Sequence, residues 1–243
     1  MKHVQPLTKL IILVYSIFTL SCKSNNSSNY IVSNSIDTSL LNFEKLFPWM
    51  AKRISEDTNM LKFDTSVNKQ QTKNYINDLK KSFSIVYFYE NDTLVKRSDS
   101  ALSKIDYLPA FCESNYYLDT LRITAAVGFF AAAGVVINVY GNKFYAEYHE
   151  GSDGEGYLKY NRIDSIYVND IGVQAITEKL ILSKKPSFSN GEVLIGQFEG
   201  TFKPFYEKEA GQEHIRKVKL KVVFKCVVRN LDELSKEKSS NKN

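Results

Sequence analysis

Two hydrophobic periods divide the chain. Between Leu40 and Phe83 apolar residues recur every three or four positions, and from Ser84 to Arg229 they recur mainly at every second position. The first period predicts helices and the second predicts strands. Phe43, Leu46, Phe47, Met50 and Ile54 fall at helical spacing, with Pro48 either breaking that stretch or opening a second helix as its first residue. A further helix is expected over Lys69–Lys81, with Asn68 as N-cap, Gln71 three residues on, and Ile76, Leu79 and Phe83 along one side. These segments carry no His and no close acidic pair on one face, so they read as packing elements.

The strand-like part begins with Ser84–Glu90, a turn at Asn91–Asp92 and a return over Thr93–Lys96. Asp99–Cys112 fits no single period, and a short helix before Pro109 is one reading of it. Leu121–Tyr140 is the least charged stretch after the N-terminal segment. Its apolar part is too short and too poor in basic and aromatic flanks for a membrane span, and two buried strands joined near Ala131–Gly134 are expected instead. Gly141–Asn142 between Val135–Tyr140 and Lys143–Glu150 is a two-residue hairpin signature of the II′ kind. Gly151–Gly156 (GSDGEG) leads into a strand at Tyr157–Arg162, followed by others at Ile163–Val168, Glu178–Leu182 and Glu192–Phe202. His214–Arg229 places Val218, Leu220, Val222, Phe224, Cys226 and Val228 on one face and Lys217, Lys219, Lys221 and Lys225 on the other. The expected fold is mainly β (α+β): an antiparallel β-sandwich or open barrel with N-terminal helices.

The first residues follow a different logic. Met1–Lys9 carries Lys2 and Lys9 without an acid, and Leu10–Leu20 (LIILVYSIFTL) is an apolar run of eleven. A spanning helix needs about 20 residues, so the run fits the core of a secretory signal peptide. Thr19-Leu20-Ser21-Cys22 resembles the lipobox of bacterial lipoproteins, where a peptidase cleaves before the cysteine and its thiol is diacylated. The usual Leu three residues before the cysteine is here two before it, at Leu20, and in this the segment is similar to the looser lipoboxes of Bacteroidota. The resemblance implies removal of residues 1–21, lipidation of Cys22, and a protein held at the cell envelope by acyl chains, on either membrane. Residues 22–39 would then be the lipidated cysteine and a Ser/Asn-rich tether, whose Lys23–Ser39 gives a flexible-chain span of roughly 23 Å.

Composition limits the chemistry of what the tether carries. With 243 residues, 43% hydrophobic and 24% charged, the chain suits one globular domain over 40–230, helical over 40–83 and β-rich over 84–230, followed by a polar tail at 231–243. The formal charge of +5 falls to +3 once Lys2 and Lys9 leave, which calls for no nucleic acid or other polyanion. Three Cys and three His exclude a zinc ribbon, a disulfide knot and a His-rich metal centre, and no cofactor motif is present. Cys112 and Cys226 are either a disulfide, as an oxidising compartment permits, or two buried thiols.

Several constellations carry groups that catalysis or binding would need. Asp153 and Glu155 in the Gly-rich loop, with His149 and Glu150 nearby, could offer oxygens to Ca²⁺, although the spacing is that of a hairpin loop and not of an EF-hand. His149, Glu147 and Asp153 form the least unfavourable hydrolytic set, yet His149 shares strand parity with Tyr145 and Glu147, as a solvated residue would. Cys112 beside a His is a further nucleophile pair without local support, and the carboxylate pairs Glu147 with Glu150 or Asp153, and Asp232 with Glu233, arise from composition alone. The stripe of Arg216, Lys217, Lys219, Lys221 and Lys225 reads as a solvated strand face, and the 15 Tyr and 15 Phe read chiefly as cross-strand packing. Asp92-Thr93-Leu94, Asp99-Ser100-Ala101, Asp119-Thr120-Leu121 and Asp164-Ser165-Ile166 resemble the O-glycosylation acceptor of Bacteroidota. The expected function is a lipid-anchored envelope protein with a non-enzymatic binding or structural domain, facing an envelope protein or glycan. An envelope or glycan-directed hydrolase and an immunity or inhibitor lipoprotein are the alternatives.

Overall fold

The computed structural model describes residues 27–48, 80–95, 106–128 and 131–233. The signal segment 1–21, Cys22, the helix expected at Lys69–Lys81 up to residue 79, the helical stretch beyond 48, Asp99-Ser100-Ala101 and the tail from 234 lie outside the described residues, and Lys80–Lys81 form a turn. Among the described residues no helix is long and apolar enough to cross a membrane.

Among the described residues fourteen strands follow one another: β1 (Ser28–Asn29), β2 (Ile31–Val32), β3 (Phe83–Glu90), β4 (Thr93–Leu94), β5 (Leu108–Tyr117), β6 (Thr120–Gly128), β7 (Ala131–Tyr140), β8 (Lys143–Ser152), β9 (Leu158–Lys159), β10 (Asp170–Leu182), β11 (Val193–Phe202), β12 (Phe205–Glu209), β13 (Gln212–Arg216) and β14 (Val218–Asn230). A single turn of helix, α1 (Phe43–Leu46), precedes β3. Strands β3, β5, β6, β7, β8, β10, β11 and β14 pair antiparallel in that order, and β14 returns to β3, so the sheet closes into an eight-stranded up-and-down barrel. Of the two antiparallel folds expected, sandwich or open barrel, the structure is the barrel, with its ring closed. Closure removes the sheet edges that an open barrel would leave unpaired.

The period-two pattern fills the interior. Phe144, Ala146 and Tyr148 of β8 and Val218, Leu220, Val222, Phe224, Cys226 and Val228 of β14 are all buried in one cluster, which also takes Leu121, Ile123 and Ala125 of β6. Burying each large apolar side chain contributes about 1.5–3 kcal/mol. Gly196 opposes Phe224 across β11 and β14, and a Cβ there would lie 2.2 Å from the Phe224 ring, so the glycine makes room for it. Outside the wall, α1 lays Phe43 and Leu46, with Phe47 after it, on Phe83, Ile85 and Val223. That explains why β3 is buried on both faces.

Two seams complete the ring. β3 separates β5 from β14 only as far as Phe83, and beyond it β14 runs parallel to β5 through Val228 and Ser114. Cys112 and Cys226 are disulfide-bonded at that fork, with Cα atoms 5.5 Å apart. The second seam lies between β8 and β10, which pair only from Gly151 and Asp170 to Glu147 and Gln174. A bulge at Ala175 and Thr177 turns β10 away, the Glu178 carboxylate accepts the Ala146 N–H at 2.9 Å, and β1 and β2 fill the widening gap on β8 and β10 respectively. Ser28–Val32 is thus built into the barrel, inside the segment expected as tether, because it supplies partners that the diverging strands lack.

One end of the barrel carries the short turns at 118–119 and 141–142 and is called the turn end here. The opposite end carries a three-stranded sheet of β9, β12 and β13, the lid. The lid corrects two strand expectations. Tyr157–Arg162 and Ile163–Val168 reduce to β9 and one bridge from Leu158 to Val168, because Asp164 folds the intervening residues into a turn by accepting the Asn161 N–H. His214–Arg229 breaks at Lys217, whose N–H is bound by the Asn91 side chain and whose carbonyl accepts the Asn91 N–H. The connection between β6 and β7 also falls just before Ala131, after Gly128.

Candidate functional site

At the lid end, the outer wall of β6, β7, β8 and β10 holds a groove of about 400 Å³. Small residues make its floor: Ala126 on β6 and Ala132 and Gly134 on β7. Gly134 is required there, because a Cβ would lie 2.3 Å from the Ala125 carbonyl oxygen and 2.6 Å from Ala126 Cα. Thr124, Ser152, Asp153, Asn169 and Asp170 add hydroxyl, amide and carboxylate groups to the lining.

His149 stands in this lining between two glycines, in register with Gly134 on β7 and Gly172 on β10. A Cβ on Gly172 would lie 2.9 Å from His149 Cε1, so the imidazole lies against bare backbone. Its Nε2 is 3.6 Å from the Glu147 carboxylate and has no hydrogen-bond partner among the described residues. Asp153 lines the same groove and is exposed, whereas Glu147 is not part of the lining. The three residues of the hydrolytic set are thus close along one strand and loop, with one direct contact between them.

The sheet separates other residues that lie close in sequence. Glu150 alternates to the inner side of β8, where it binds Arg216 and accepts the Tyr148 hydroxyl. It shares no face with Glu147, and Asp153 and Glu155 are left exposed in the loop. Among the described residues no group of three or more His, Cys, Asp and Glu is placed to hold a metal ion. The Cys112 sulfur is in the disulfide, so the reading of Cys112 as a thiol nucleophile falls. Asp232 and Glu233 accept the Leu118 and Asn190 N–H groups at the turn end.

Arg216 departs most from its expected place. It belongs to no solvated stripe: it is buried under the lid, stacked over the Phe205 ring, between Glu90 of β3, Glu150 of β8 and Glu207 of β12. Its Nη1 lies 2.6 Å from Glu207 and 3.2 Å from Glu150. Burial disfavours the guanidinium charge, but Glu150 and Glu207 more than offset this and raise its pKa. Burial raises the Glu90 carboxyl against the pull of Arg216, with Glu207 and Glu150 adding repulsion. Burial, then the Glu150 charge, raises the Tyr148 hydroxyl, which is wedged among Phe88, Phe202 and Phe205. Sequence reasoning missed this latch, although Glu150 shares strand parity with Phe144, Ala146 and Tyr148, and a carboxylate on a buried face needs a partner.

Lys219, Lys221 and Lys225 do line the outside of β14, whereas Lys217 sits at the break before it. Lys219 pairs with Glu199, while Lys221 and Lys225 lie over the rings of Tyr87 and Phe83 on the neighbouring strand. The aromatic partners missing from β14 itself therefore come from β3. No protein-family model, no curated protein and no solved structure matches the chain.

Proposed function

We propose that this protein is a lipid-anchored cell-envelope lipoprotein whose closed barrel serves a binding or structural role without catalysis. The observation that carries the reading is the Cys112–Cys226 disulfide together with the one cysteine it leaves over, Cys22. Disulfides of this kind persist in oxidising compartments outside the cytoplasm, and Cys22 ends the apolar run where acylation would occur. The groove beside His149 supports binding: it offers a small-residue floor and several hydrogen-bonding groups, which suit a polar envelope component such as a glycan or a protein loop. Mass spectrometry of the mature N-terminus tests the anchor. A diacylated Cys22, and loss of the protein from the membrane fraction in Cys22→Ala, are expected; an unmodified Cys22 removes the reading.

A hydrolase acting on an envelope glycan is the second reading, favoured by His149 in the groove lining, whose Nε2 has no hydrogen-bond partner among the described residues and lies 3.6 Å from Glu147, outside that lining. Unchanged turnover of candidate glycans by His149→Ala would remove it.

A further inference from the structure

We propose that the turn end of the barrel rests on the lipid bilayer and that the lid and groove face away from it. The inference rests on the reading of Cys22 as acylated. Its geometry starts at Ser28, which pairs with Phe144, one residue from the turn-end start of β8. The six steps from Cys22 to Ser28 span at most about 22 Å in any conformation. Strands of ten residues, such as β8, stand about 25 Å tall in a barrel once tilted, and the lid adds a further layer of about 10 Å. A barrel standing on its lid would hold Ser28 farther from the bilayer than the tether reaches. Standing on its turn end, it keeps Ser28 within a few residues of the surface.

The turn-end rim has the side chains such a contact needs. Ile31 and Val32 are 49% and 52% exposed, and Tyr117 and Leu118 are 51% and 69% exposed. They stand at two places on the same rim with the β7–β8 turn between them: Tyr30 joins the Ile31 strand to that turn through Asn142 and Gly141, and β7 and β6 connect the turn to Thr120 and Leu118. Rim acids are engaged locally: Asp119 accepts the Tyr116 hydroxyl, Asp232 the Leu118 N–H, and Glu192 pairs with Lys184. Lys143 and Lys185 remain exposed at the same end. Aliphatic and tyrosine side chains interspersed with lysine suit the interfacial zone of a bilayer.

The test uses full-length acylated protein in vesicles of phosphatidylethanolamine and phosphatidylglycerol with brominated acyl chains, which quench nearby tryptophan. Tyr117→Trp on the rim and Ile163→Trp on the lid are each compared with the parent chain, so that Trp49 is common background. The Tyr117→Trp emission is expected to lose about half its added intensity, as an interfacial ring would, and that of Ile163→Trp none. Hydrogen exchange of the unsubstituted protein supplies a readout that needs no variant: amides at 30–32 and 117–120 slow on vesicles relative to detergent, and lid amides do not. Quenching of Ile163→Trp, or an acylated protein with neither quenching nor slowed exchange on the rim, overturns the orientation alone. An unmodified Cys22 overturns it together with the anchor.

Discussion

Cys112 on β5 and Cys226 on β14 are bonded at the residue where β3 ceases to separate their strands. The ladder changes there from antiparallel pairs through β3 to a short parallel pairing of β5 with β14, and the disulfide holds the fork. It joins residues 114 apart in sequence. Closing a loop of that length restricts the unfolded chain by about 3–5 kcal/mol. The double substitution Cys112→Ser, Cys226→Ser is therefore expected to lower the unfolding free energy from urea titration by that amount, with a steeper slope because the unfolded chain is no longer cross-linked. A loss under about 1 kcal/mol would mean that strand pairing alone closes the barrel.

Under the lid Arg216 contacts three carboxylates, those of Glu90, Glu150 and Glu207. Replacing it with Met keeps much of the volume over Phe205 but leaves Glu150 and Glu207 without their counter-charge. Breaking a buried pair in this way costs about 3–5 kcal/mol. Arg216→Met should lose that much in denaturant titrations, and adding Glu150→Gln should restore part of it, since one uncompensated charge is then gone. Equal stability of single and double variants would show that Glu150 does not depend on Arg216.

How far the sequence discloses this fold depends on whether neighbours along the chain decide the outcome. β8 and β14 are legible because one face of each meets the barrel interior and the other meets water or lysine partners, so alternation survives in the residues themselves. The lid is not legible: four of the five residues of β13 are exposed and carry no apolar period, and its only buried one is charged. Closure is also hidden, because the pairing of β3 with β14 joins the two ends of the barrel sequence. For the site, parity put His149 on the face opposite Phe144, Ala146 and Tyr148, but not its surroundings: where a solvated residue was expected, Nε2 is buried and the ring lies against Gly172. The glycines that bracket it come from β7 and β10, and the partners of Arg216 from β3, β8 and β12, so neither constellation has a local spacing to detect.

Glu178 should imprint a slope on the pH dependence of stability. Burial in the gap between β8 and β10 raises its carboxyl pKa above 4.5, despite hydrogen bonds to Ala146 and Ser28 that favour the charged form. Between 4.5 and that raised value the folded chain keeps a proton which the unfolded chain has released, so stability falls as pH rises through this interval. Glu178→Gln can still accept the Ala146 N–H and cannot titrate. Urea unfolding across pH 4.5 to 7 should show a shallower decline for Glu178→Gln than for the parent chain. Parallel curves would show that this carboxyl titrates alike in both states. Glu90, raised by burial in the Arg216 cluster, contributes to the same slope in both proteins, which is why the comparison is between variants.

Gly134 and Gly172 both flank His149, but their substitution should differ in kind. A methyl group at Gly134 meets backbone, 2.3 Å from the Ala125 oxygen and 2.6 Å from Ala126 Cα, so β6 and β7 must separate to admit it. A methyl group at Gly172 meets the imidazole, with His149 Cε1 at 2.9 Å, and a half-exposed side chain on the outer wall can swing aside. Overpacking that moves backbone costs about 1–3 kcal/mol, so Gly134→Ala should lose stability at the upper part of that range and Gly172→Ala little. Gly172→Ala should instead shift the His149 ring resonances in a proton–carbon NMR spectrum, while leaving those of buried β8 residues such as Ala146 in place. If Gly172→Ala proves as destabilising as Gly134→Ala, the imidazole is clamped over the glycine and cannot swing aside. The groove would then be rigid at His149, and a ligand there would have to fit the ring as it stands.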